Sequence, residues 1–193
     1  IAQHQEGRDV AEAARAAWLA QRDADDGCHL LATAQVEARR WQPADLWTKA
    51  RQGVEANRPR AVRAALSLVG PAEERLAAEV MESPARLLAR KAAPAGVGSE
   101  SWSGLRLLAV WRLAASDPSA AASALQHSAL RELPPDWLAL AGAGVARLAA
   151  LKLLPEAVSL YQAAWSWQDK AAQPPSWSDD TLAWQVRAAL RAS

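Results

Sequence analysis

In the stretch SWSDDTLAWQVRAALRAS (176–193), apolar side chains recur at Leu182, Val186, Ala189 and Leu190. This is the i, i+4, i+7, i+8 spacing of one stripe on an α-helix. Trp184 lies about 200° around from Leu182 at 100° per residue, so a bulky aromatic occupies the far side. The pattern predicts a two-sided helix, an interior member of a stack, with Leu182 and Val186 on the preceding hairpin and Trp184 nearer a further neighbour. The same reading upstream predicts helices near 8–22, 28–39, 43–56, 59–69, 71–82, 84–92, 102–116, 118–127, 135–151, 155–169 and 179–192. Proline sets their rhythm. Pro43, Pro59, Pro71, Pro84, Pro118, Pro135 and Pro155 each precede a helix-compatible run, and the first helical turn tolerates proline's missing N–H. Short connections between runs of three to four turns place successive helices antiparallel.

Capping signals agree with these starts. Asp117, Ser83 and Ser178 stand where N-caps belong, and Asp136, Asp179 and Asp180 fall in first turns. Arg187 and Arg191 lie towards the end of the last helix, as its dipole favours. The segment AAPAGVGSES (92–101) reads as a loop, and QDKAAQPPSWS (168–178) as a second. LLPEAVSLYQAAW (153–165) resembles one helix of a tetratricopeptide-type pair, although no strict repeat runs along the chain. The expected architecture is all-α: an irregular α-solenoid, or superhelix, of stacked antiparallel hairpins, forming a single domain over 1–193.

Composition narrows the packing. Hydrophobic residues reach 51% although Phe is absent and aromatics are only 6%, so alanine and leucine must supply small, close contacts. Lys+Arg 22 against Asp+Glu 21 leaves no basic excess for nucleic acid. The cluster Arg58, Arg60, Arg63 reads as a solvated helix face. The single cysteine, Cys28, excludes an internal disulfide framework. Cys28, His4, His29 and His127 lack the spacing of a metal site, so no metal, cofactor or catalytic residue is assigned. The apolar run WLALAGAGVARLAALKLL (137–154) is interrupted by Arg147 and Lys152 and bracketed by Pro135 and Pro155. It reads as a buried core helix rather than a membrane span.

Two segments carry a family resemblance. GCHLLATAQVEARRWQPADLWTKARQGVEANRPRAVRAALSLVGP (27–71) presents Cys28, Leu30-Leu31, Pro43, Leu46-Trp47, Arg51 and the Ala61–Leu68 run in a helix–loop–helix–hairpin order. DDTLAWQVRAALRAS adds Trp184, Arg187, Ala189 and Leu190. Together these resemble the superhelical region of soluble lytic transglycosylases. The resemblance implies a periplasmic protein whose partner is the peptidoglycan glycan strand, with other cell-wall proteins as further candidates. Such enzymes cleave between N-acetylmuramic acid and N-acetylglucosamine to form 1,6-anhydromuramoyl ends. A C-terminal lysozyme-like domain with one glutamate does this work, while the superhelical part supports it and contributes to holding the polymer. On that footing the chain is expected to be a non-catalytic fragment, with signal peptide and catalytic domain outside it. The alternative is a tetratricopeptide-like adaptor for peptides or partner proteins.

The segment ESWSGLRLL from Glu100 imitates the family's Glu-Ser motif and then departs from it. Gly104-Leu105 follow too soon, and Arg106 replaces the Met-Gln continuation. Glu100 is therefore expected to serve the dipole of the helix it precedes. Trp18, Trp47, Trp111, Trp137 and Trp184 are expected in the core. Trp102, Trp167 and Trp177, at helix edges or loops, are better candidates for the surface than these, yet hairpin packing rather than ligand contact is the expected role for them too. For Cys28 the resemblance implies pairing with a cysteine further upstream.

Overall fold

The computed structural model describes residues 11–131, 133–171 and 177–192, and among them no strand occurs. The chain divides into two compact units. One runs to Glu82 and includes Pro94–Ser101; the other comprises Ser83–Ala93 and the chain from Trp102 onward. His4 and the region of Pro174 and Pro175 lie outside the described residues, as does the expected start of the first helix at residue 8.

The first unit holds α1 (Ala11–Ala20), α2 (Asp26–Glu37), α3 (Pro43–Glu55), α4 (Pro59–Val69) and α5 (Pro71–Glu82). Consecutive helices from α3 to α5 pack on one another, and α1 rests on α2 and α3. Trp18 of α1 meets Trp41, before α3, with ring centroids 4.9 Å apart and planes tilted 36°, a favourable offset geometry for indoles. Around this pair gather Ala14, Ala32 and Leu46. Trp41 Nε1 donates to the Ala11 carbonyl at 3.1 Å, so its one polar atom is satisfied. The α3–α4 approach is close: a Cβ on Gly53 would stand 2.8 Å from Val62 Cγ2. The arginine cluster is exposed, as expected, with Arg58 on Asp23 at 3.1 Å and Arg63 on Glu74 at 2.9 Å.

The second unit holds α6 (Pro84–Leu88), the body of α7 (Ser99–Ser116), α8 (Pro118–Leu125), α9 (Ser128–Arg131), α10 (Pro135–Leu151), α11 (Ala157–Gln168) and α12 (Asp179–Ala192). Helix α10, the apolar run of the sequence, is the centre. It packs on α11 and also on α8 and α12, and its residues 141–146 are all buried. No helix among the described residues is long and apolar enough to cross a membrane. Two glycines let indoles approach α10 closely. A Cβ at Gly142 would lie 2.5 Å from the Trp167 ring of α11, and one at Gly144 would overlap Trp111 Nε1 of α7. Trp111 Nε1 donates to the Ala141 carbonyl at 3.2 Å. Arg147 pairs with Asp180 at 2.8 Å, so one of the two charges that interrupt the apolar run is paired by α12.

Helix α12 reverses the expected orientation. Thr181 and Ala188 are buried, and Trp184 packs on the cluster of Ala146, Ala149, Ala150, Ala157 and Tyr161. Leu182 is 39% exposed and Val186 59%. The reason lies in the neighbour. Tyr161 is buried and its hydroxyl donates to the Thr181 carbonyl at 2.8 Å, which turns Thr181 inward. The small Ala188 then permits close approach, and Trp184 buries more area than Val186 could. Arg187 lies over the Trp184 ring at 4.9 Å, and Arg191 donates to the Ala150 carbonyl at 3.2 Å. The Ser178 cap is present: its Oγ accepts from the Thr181 N–H at 3.2 Å.

Three helices end in a left-handed residue that is not glycine: Arg39 after α2 (φ 56°), Asn57 after α3 (φ 52°) and Leu153 after α10 (φ 59°). Each carries the paired 5→2 and 6→1 hydrogen bonds of a Schellman ending, as in Leu153 N–H to the Ala150 carbonyl and Leu154 N–H to the Ala149 carbonyl, both at 3.0 Å. A left-handed L-residue costs about 1–2 kcal/mol, and glycine returns about 0.5–1 kcal/mol of that through unfolded-state freedom. Leu153, 66% exposed, buries little. Leu153→Gly is therefore expected to raise stability by up to about 1 kcal/mol, seen as a higher urea midpoint at unchanged slope.

Candidate functional site

A cleft of about 530 Å³ opens in the first unit, within the size range of ligand pockets. Its floor is apolar: Val36 from α2, Leu46 from α3, Leu68 and Val69 from α4, and the edges of Trp41 and Trp47. The two indoles are only 5% and 7% exposed, so they offer little open face for stacking. Arg39, Gln42, Glu100 and Ser101 form the polar rim. Arg39 and Glu100 are exposed and opposite in charge. Neither side chain has a hydrogen bond or ion pair among the described residues.

Local structure fixes this rim. The Schellman ending stops α2 at Arg39, with Arg39 N–H on the Val36 carbonyl and Arg40 N–H on the Gln35 carbonyl, both at 2.9 Å. Trp41 is then held between Trp18 and the Ala11 carbonyl. Asp45 accepts from the Gln42 N–H at 3.0 Å and pairs with Arg15 at 3.0 Å, which secures the start of α3. Glu100 does sit in the first turn of α7, as its dipole role requires. That helix starts at Ser99 rather than near 102, and Glu100 in its first turn also lines the cleft.

A second group surrounds Lys49, which is 5% exposed. Its ammonium donates to the carbonyls of Trp18 and Gln21 and lies 5.5 Å from the Trp18 ring centroid. It thereby caps the C-terminal end of α1. Burial pushes the Lys49 pKa down, partly offset by Cys28. The Cys28 thiol is pushed up, first by burial and then by the Asp25 carboxylate, which also accepts from the Cys28 N–H at 2.8 Å. A thiol so placed is a poor nucleophile. The adjoining gap of about 10 Å³ fits no more than a water, so this group is structural.

The sign of the Lys49 effect follows from linkage. Its folded pKa lies below the unfolded value near 10.5, so between the two the unfolded chain binds more protons. Stability should therefore rise with pH through that window. Cys28 acts oppositely above its ordinary 9.0, so the comparison belongs in a Cys28→Ala background. There, Lys49→Met is expected to flatten the rise in urea midpoint as the pH approaches 10.5 from below.

The tryptophans sort cleanly. Trp18, Trp47 and Trp111 are buried as expected, and Trp137 and Trp184 are half-buried. Trp102 and Trp177 are buried as well, which favours hairpin packing over surface exposure: Trp177 meets Trp165 at 4.4 Å, and Arg106 lies over Trp102 at 4.8 Å. Among the described residues no group of three or more His, Cys, Asp or Glu side chains is placed to hold a metal. The cleft residues Arg39, Trp41 and Gln42 carried one sequence signal: a run without glycine, EARRWQP, where a helix ends and a proline starts the next. No family model, curated protein or solved structure matches the chain.

Proposed function

We propose that the chain is a non-catalytic helical scaffold of a periplasmic lytic transglycosylase, supporting a lysozyme-like domain and holding the glycan strand that this domain cleaves. The family resemblance of the two sequence segments supplies the activity and substrate. The observation that supports a scaffold is α12, which buries Thr181 and Ala188 against α10 and α11 and presents Leu182 and Val186 on its other side. A helix apolar on two sides suits a stack that carries further helices. Incubation with purified sacculi tests the reading. The chain should co-sediment with them and release no anhydromuropeptides by mass spectrometry. Release by this chain alone, or failure to co-sediment, would refute it.

A second reading, an adaptor for peptides or partner proteins, draws on the cleft of the first unit. Its apolar floor and mixed-charge rim suit a peptide better than a purely supporting role requires. Binding of a defined peptide without affinity for sacculi would favour the adaptor.

A further inference from the structure

The geometry points to a specific occupant of the first unit's cleft: the C-terminal end of a peptide with aliphatic side chains. The terminal carboxylate meets Arg39, the side chains lie on Val36, Leu46, Leu68 and Val69, and a backbone N–H faces Glu100. This inference rests on the adaptor reading and is independent of the glycan scaffold.

Three observations select this chemistry. The apolar lining is mainly aliphatic and the two indoles are almost fully buried, so it accepts branched side chains and gives a sugar ring little face to stack on. The rim carries one cation and one anion without partners among the described residues. A fatty acid would answer Arg39 and the floor but bring no donor to the Glu100 carboxylate, which only accepts. A peptide end brings an anionic acceptor and N–H donors together with apolar bulk. Finally, Arg39 occupies a left-handed position where glycine is easier. Arg39 lines the cleft from that position, and guanidinium–carboxylate pairs are among the stronger hydrogen-bonded contacts.

Calorimetric titration of the full chain tests this with trileucine as the free acid, trileucine amide, octanoate and chitotriose. The free acid should bind about tenfold or more tightly than the amide. Arg39→Gly should keep the far-UV circular dichroism unchanged, since the position suits glycine, and bring the acid down to the amide's affinity. Glu100→Gln should weaken the acid several-fold. Equal binding of acid and amide, binding of neither, or an Arg39→Gly protein that still prefers the acid would overturn the inference. So would octanoate matching the free acid, or chitotriose exceeding it. Failure to co-sediment with sacculi, with peptide preference intact, would refute the scaffold alone.

Discussion

Gly144→Ala should cost the second unit about 3 kcal/mol or more, above the usual range for overpacking. On an open helix surface the same change would gain about 1 kcal/mol from propensity. Here the new Cβ would overlap Trp111 Nε1 and Cε2 and stand 2.8 Å from Cδ1. The indole cannot retreat, because it is buried on α7 and its Nε1 is committed to the Ala141 carbonyl. Either the ring leaves its site or α7 and α10 separate. Gly142→Ala should act in the same direction and less severely, since the Trp167 ring atom it meets at 2.5 Å belongs to a half-buried side chain. Gly98→Ala, with nothing within 4 Å, serves as the neutral control. Urea unfolding followed by circular dichroism measures all three. A Gly144→Ala protein within about 0.5 kcal/mol of the parent would show that the helices part without cost.

Trp18→Ala should remove about 3–5 kcal/mol from the first unit. The indole is buried between α1 and Trp41, and it forms one wall of the Lys49 site. Truncation would leave a cavity bordered by Ala14, Ala32 and Leu46, small or constrained neighbours that collapse poorly into the space. It would also loosen Trp41, whose backbone leads directly to the cleft rim. Peptide binding at the cleft should therefore weaken with the fold. Trp18→Phe, which keeps ring packing, should recover much of both losses. An alanine variant with unchanged midpoint would mean that the ring pair carries little of the packing.

Helix positions were legible because local signals decide them. Proline opens α3, α4, α5, α6, α8 and α10 as expected, since its fixed φ and absent N–H suit the first turn. Asp117 caps α8 by accepting from the Ala120 N–H at 2.9 Å. Where the boundaries slipped, other local hydrogen bonds had intervened. Pro155 lies ahead of α11, which begins at Ala157 after a turn closed by its N–H on the Leu154 carbonyl at 3.2 Å. Helix α2 starts at Asp26 rather than near 28 because Asp25 caps it. The short α9 gave no periodic signal at all.

The face of a helix was less legible than its position. Spacing on α12 favours the Leu182–Val186 stripe, but it carries no information about Tyr161, whose hydroxyl claims the Thr181 carbonyl. The cleft was hidden for a related reason: α2, α3, α4 and the start of α7 each contribute to it, with Arg39 at the left-handed end of α2. Glu100 was readable as a dipole residue from its neighbours. Its second position, on the rim, depends on segments far away in sequence.

The enclosure of α10 also sets how the second unit breathes. A helix covered on several sides by other helices and two indoles cannot expose its amides by loosening one neighbour. Those amides must exchange with solvent deuterium through the largest opening of the unit, while α12, whose outer face already meets water, can exchange by fraying. Protection should therefore fall away from α10 outward, making it the last segment of that unit to take up label.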